Sequence, residues 1–227
     1  MEKVYKNSHY LFIAVLLMAI AGFWKTYFGK IPTFDGVSGL MHFHAVMVLS
    51  WLGILIVQPI LILNKKVEMH RLIGKISYIV VPILLLSIIL LMRLSFIKNT
   101  LPANPDIDIR LVGVADLTFF IPCYLIAIYF RKNTKYHARF MVMTVLPFIN
   151  PALGRLNLPG SVLAIIIMLG LIIYEAFNKK IFLPYLIGLP AYIAVYFFIL
   201  LSSMPTNGEH FGGCFFNDKP LNFYLKK

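Results

Sequence analysis

The chain has 227 residues, of which 60% are apolar and only 13% charged, with a mean hydropathy of +0.83. Soluble domains run at roughly 45–50% apolar and about 25% charged, so the composition excludes an ordinary water-soluble fold and predicts an integral membrane protein. A net charge of +12 could suggest nucleic acid, but in a membrane chain Lys and Arg collect in cytoplasmic loops, so the expected partner is the lipid bilayer and no nucleic acid.

Seven apolar stretches are long enough for a hydrocarbon core of about 30 Å. They cover residues 9–28, 40–63, 70–96, 109–130, 138–156, 161–178 and 181–203. Polar and Gly/Pro-rich punctuation separates them, from GKIPTFDGVSG after the first to the Asn178-Lys179-Lys180 turn before the last. The first stretch lacks a small-residue cleavage site and is read as a retained span. With the N-terminus in the cytoplasm, the inner side holds 12 of the 21 basic residues and three of the nine acidic ones, a net +9; the outer side is left with +3. All the inner loops are short and basic, where this rule is most reliable. The expected fold is an all-α seven-transmembrane-helix bundle, N-terminus cytoplasmic and C-terminus outside. Residues 1–203 form one domain and 204–227 a Phe-rich tail at the outer interface.

An ionisable or strongly polar side chain inside a bilayer costs several kcal/mol unless it meets a partner or water, which makes each one a candidate for function. In the second stretch, GLMHFHAVMVLSWLGILIVQPILIL, residues His44, Trp51 and Gln58 are spaced seven apart and share one helix face. His42 points about 200° away from His44 at roughly 100° per residue, so His44 is expected to face inward and His42 to sit at the rim or to hydrogen-bond a loop. The third stretch opens on His70 and Arg71 and carries Arg93 near its far end. The fourth holds Asp116 and Cys123. The fifth opens on His137 and Arg139 and closes on Asn150 and Arg155. Pro59, Pro82, Pro122 and Pro147 are expected to kink helices without breaking any.

These residues sort into two layers. In the outer one, His42, His44 and Asp116 have the ligand types of a metal site such as zinc; an ion pair between Asp116 and Arg93 or Arg155, or an organic ligand or proton pathway, fits the same residues. In the inner layer, His70 and His137 with Arg71 and Arg139 suit interfacial cations, an anion site at helix N-termini, or bis-His ligation of haem b. Cys123 and Cys214 have neither metal-ligand spacing nor a disulfide in prospect. The seventh stretch has no Lys, which excludes a retinal Schiff base. The hairpins ILNKKVEMHRLIGK and IYFRKNTKYHARF echo one another, a loose internal repeat.

The ordered set GFWKTYF, HFHAVMVLSWLGILIVQPILI, HRLIGKIS, ADLTFF and HARFMVMTVLPFINPALGRL resembles a family of uncharacterised bacterial seven-helix membrane proteins over residues 22 to 156. The resemblance implies that His42, His44, Trp51, Gln58, His70, Arg71, Asp116, His137, Arg139 and Arg155 form one shared constellation, and that the membrane is a bacterial inner membrane. It brings no activity with it. Seven-helix zinc hydrolases of the adiponectin-receptor group are a more distant analogy, and their closing HxxxH is missing here. The leading expectation is therefore a protein that binds a ligand or cofactor, haem or another redox group included, through His, Asp and Arg on spans two to five. A metal-dependent hydrolase acting on lipid and a small transporter or proton-coupled carrier are the alternatives.

Overall fold

A bilayer offers no water to the backbone, so an apolar chain satisfies its N–H and C=O groups by forming helices. The computed structural model describes residues 7–98, 109–178 and 182–203, and among them there is no strand. The helices are α1 (Ser8–Gly22), α2 (Gly39–Leu63), α3 (Val67–Lys98), α4 (Ile109–Tyr129), α5 (Thr134–Met143), α6 (Ile149–Gly154), α7 (Gly160–Phe177) and α8 (Leu183–Ser203), with 3-10 turns at Phe28–Lys30 and Leu146–Phe148. Four of them, α2, α3, α4 and α7, contain a stretch long and apolar enough to cross a membrane; α1 and the Leu183–Ile199 part of α8 are apolar but shorter. The tail 204–227, Cys214 and the Lys179-Lys180 pair lie outside the described residues.

The surface is apolar and the interior carries the polar groups. Leu17, Ile79, Leu125, Ile166 and Phe197 are each more than half exposed, whereas Ser77, Ser87, Thr144, Asn150, Arg139 and Glu175 are buried. That distribution suits a solvent of lipid. α2 packs between α1 and α3, α4 packs on α5 and α8, and α6 lies against α1 and α7. α3 and α4 touch over little of their length, which leaves a seam between them. Ser38 caps α2, accepting from the Met41 N–H at 3.3 Å, and Asn133 caps α5, accepting from Lys135 N–H at 3.2 Å.

The fifth apolar stretch departs from expectation. It is not one kinked helix but α5, a 3-10 turn and α6. Pro147 has no N–H to give, and Thr144 Oγ1 donates back to the Met141 carbonyl at 2.7 Å. The next backbone bonds, Val145 to Val142 and Phe148 to Val145, close three residues apart at 3.2 and 3.1 Å, the tighter 3-10 pattern. Pro59, Pro82, Pro122 and Pro190 sit inside α2, α3, α4 and α8 without dividing them. Close approach by neighbours holds the broken segment in place. A Cβ on Gly22 of α1 would lie 2.2 Å from the Ala152 carbonyl oxygen, and one on Gly160 would lie 2.6 Å from Asn150 Cα.

At the end of the bundle that carries His70, a buried ion pair ties α5 to α7. Arg139 Nε donates to Glu175 Oε1 at 2.5 Å, with the two side chains 1% and 3% exposed. Arg139 also donates to the Lys135 carbonyl at 2.7 Å and lies 3.7 Å from the Phe182 ring centroid, while Glu175 Oε2 accepts from Phe182 N–H at 3.1 Å. Glu175→Gln withdraws a buried carboxylate from a buried guanidinium and should cost about 3–5 kcal/mol. The Arg139→Met/Glu175→Leu double variant should cost less than Glu175→Gln, by thermal unfolding in detergent. Gly22→Ala should likewise lower the melting temperature. Gly170→Ala, where nothing lies within 4 Å, should leave it unchanged or raise it.

Candidate functional site

The polar residues read from the sequence fall at two ends of the bundle. At the Gly39 end of α2, His42 belongs to the loop: its Nδ1 is 3.0 Å from Tyr27 Oη, and its ring packs edge-on against Phe34 with centroids 4.7 Å apart. His44 turns the other way, into the bundle. Its Nδ1 lies 3.0 Å from Ser87 Oγ on α3. The two histidines thus meet different surroundings, His42 the loop before α2 and His44 a serine on α3. His42, His44 and Asp116 are not gathered round a common point, and no group of three or more His, Cys, Asp or Glu able to hold a metal occurs among the described residues.

Asp116 is bound by neutral donors. Its Oδ1 accepts from Asn150 Nδ2 at 3.1 Å and from Tyr196 Oη. Asn150 Nδ2 also reaches Tyr192 Oη at 3.2 Å and Tyr196 Oη. One carboxylate thereby connects α4, α6 and α8. The ion pair expected with Arg93 or Arg155 is replaced by this network. Arg93 is exposed and makes no ion pair with Asp116 among the described residues. Arg155 donates to the Pro151 carbonyl at 2.8 Å and stacks on Phe23, 4.0 Å from the ring centroid.

His44 and Asp116 line one cavity of about 190 Å³. α1 contributes Ala19 and Phe23, α2 adds Val48, and α3 adds Leu84, Ile88, Leu91 and Met92. α4 brings Gly113, Leu117 and Phe120, and the broken segment supplies Pro147, Phe148 and Pro151. The cavity occupies the loosely packed α3–α4 seam, and the break in the fifth segment forms one wall. A second, larger recess of about 680 Å³ lies between the end of α1 and residues 155–157, with Lys25 and Arg155 on its wall.

At the other end, α2 and α3 bring Gln58 to His70: Gln58 Nε2 donates to the His70 carbonyl at 3.2 Å. The His70 and His137 rings meet edge to face with centroids 6.4 Å apart. His137 Nδ1 donates to the Ala127 carbonyl at 2.8 Å. Between the two ends, Trp51 is fully buried and packs edge-on against Phe120 and Tyr124. Tyr124 donates to Ser77 Oγ at 3.0 Å, because the Ser77 hydroxyl is committed to the Gly74 carbonyl at 2.6 Å. Trp51 Nε1, Gln58 Oε1 and His70 Nδ1 are buried without a hydrogen-bond partner among the described residues. A buried polar atom left without a partner costs about 1–3 kcal/mol. Neither cavity reaches His70 or His137, and Gln58 lies against Gly74, 3.6 Å from where a Cβ would stand.

Arg71 is exposed. Arg139, expected to contact lipid phosphate or an anion, is instead engaged by Glu175. Tyr192, Tyr196 and Glu175 were not anticipated from the sequence. The tyrosines are four residues apart on one face of α8, a pattern that two hydroxyls in an apolar run do carry. No family model, no curated protein and no solved structure matches the chain, so the reading of this site rests on its own geometry.

Asn150→Leu removes the shared donor and should lower stability by about 1–3 kcal/mol. Tyr196→Phe should cost less, since Asp116 keeps its bond from Asn150. Equal losses in both variants, measured by thermal unfolding, would count against a network centred on Asn150.

Proposed function

We propose that the protein is a ligand-binding integral membrane protein whose site is the His44–Asp116 cavity. One observation carries the reading. Among the described residues, the only polar side chains on the wall of an otherwise apolar cavity are His44 and Asp116, both anchored by hydrogen bonds to neighbouring helices. Ligand sites are mostly apolar spaces with a few fixed polar groups, and about 190 Å³ suits a small molecule rather than a porphyrin. In this proposal the chain crosses a bacterial inner membrane seven times, with α5, the 3-10 turn and α6 together forming the fifth crossing. The N-terminus is cytoplasmic and the tail outside, which places the cavity towards the outer face. The basic loops at residues 64–66 and 131–135 support this orientation.

A second reading, a small proton-coupled carrier, is favoured by the broken fifth segment. Interrupted helices line the binding sites of many transporters, and the polar column from His44 through Trp51 and Gln58 to His70 and His137 follows α2 along its length. The experiment that separates the two is flux in liposomes against equilibrium binding in detergent.

Val48→Trp should fill the cavity, keep or raise the melting temperature, and abolish ligand-induced stabilisation. Stabilisation that persists in Val48→Trp would place the site elsewhere. Reporter fusions after Lys66 and after Ser203 should report opposite sides of the membrane. The same side for both would overturn the seven-crossing arrangement.

A further inference from the structure

The hydrogen positions at the cavity define what kind of molecule it takes, given the ligand-binding reading above. Ser87 has one hydroxyl hydrogen, and its Oγ is 2.7 Å from the Leu84 carbonyl, which can only accept. Ser87 therefore donates to Leu84 and accepts from His44 Nδ1 at 3.0 Å. A neutral His44 with its hydrogen on Nδ1 has a bare lone pair on Nε2.

Asp116 is also an acceptor. Its Oδ1 takes the Tyr196 hydroxyl and the Asn150 amide, while none of these bonds goes to Oδ2. Both donors are neutral, and Arg155 is occupied by the Pro151 carbonyl and the Phe23 ring. Once ionised, a carboxylate supported by neutral donors and with no counter-ion among the described residues, on the wall of a low-dielectric space, favours a cation. Every other lining side chain among the described residues is apolar, and Phe120 and Phe148 meet edge to face with centroids 5.9 Å apart, aromatic surface of the kind that receives organic cations.

With Asp116 ionised, two acceptors and an apolar wall, with no other polar side chain among the described lining residues, match one ligand chemistry. We infer that the cavity binds a small organic ammonium ion, its N–H groups donating to Asp116 and His44 and its apolar body packed among α3, α4 and the broken fifth segment. Arg155 lies 4.0 Å from the centroid of the Phe23 ring, which lines the same cavity, so the ammonium must be held by direct contact with the Asp116 carboxylate against a nearby positive charge.

The test uses the full chain in detergent near neutral pH and three probes with one body and different heads: benzylamine, benzyl alcohol and benzoate, read by isothermal titration and thermal shift. Benzylamine should bind and stabilise the wild type more than the other two. Asp116→Asn should weaken benzylamine by about thirtyfold or more while changing benzyl alcohol little. His44→Phe, which keeps the carboxylate, should weaken benzylamine to a smaller extent and covers the case in which Asp116→Asn does not fold. If benzyl alcohol or benzoate binds better than benzylamine and Val48→Trp removes that binding, the cavity remains the site and the ammonium inference falls. If no probe binds at millimolar concentration, or Val48→Trp leaves binding intact, both fall.

Discussion

A carboxylate inside an apolar bundle must be solvated by the protein, and Asp116 is solvated by groups from two other segments. Asn150 comes from α6 and Tyr196 from α8, so the acid on α4 can be satisfied only when all three are assembled. That requirement explains why the fifth segment is broken where it is. A straight helix through Pro147 would carry Asn150 along the register of α5; the 3-10 turn at Leu146–Phe148 tightens the backbone and resets that register. Glycines at 22 and 160 then let α1 and α7 close against α6. The cavity follows from the same arrangement, because Pro147, Phe148 and Pro151 form its wall instead of filling it.

The two ends of the bundle treat charge in opposite ways. At the His70 end a buried charge pair is closed: Arg139 donates to Glu175, and Phe182 covers the pair with its ring and backbone. Such a pair fixes how α5 and α7 meet and is unavailable to a ligand. At the His44 end the carboxylate has donors but no counter-ion among the described residues, and the imidazole on the same cavity wall is oriented by Ser87. The first arrangement is structural and the second is receptive. Between them lies the column of Trp51, Tyr124, Ser77 and Gln58, partly satisfied and partly orphaned. It gives the carrier reading its physical basis without requiring it.

Much of the membrane character was legible in the sequence, since it depends on apolar length alone. The separation of His42 from His44 was legible too, because helical geometry turns a two-residue step into opposite directions. Partner choice was not. Asp116 has Arg93 and Arg155 as obvious charge partners in sequence, yet solvation by an amide and a phenol won, and both arginines found other surroundings. Tyr192 and Tyr196 read as two more aromatics in an apolar run, since nothing local distinguishes a phenol that faces lipid from one that faces a carboxylate. Glu175 read as one more charge on a basic face, because its partner lies 36 residues earlier. Pro147 read as a kink. The added effect of Thr144 turning its hydroxyl back on Met141, which extends the disturbance to a full turn, needs coordinates to be seen.

The central claim is that the space beside Asp116 and His44 is a ligand site. An experimental structure of the protein extracted with its native lipids tests it most directly. The account predicts non-protein density in the cavity, with a polar atom within hydrogen-bond distance of both Asp116 and His44. A cavity filled by its own side chains, with Asp116 turned to Arg93 or Arg155, would contradict it.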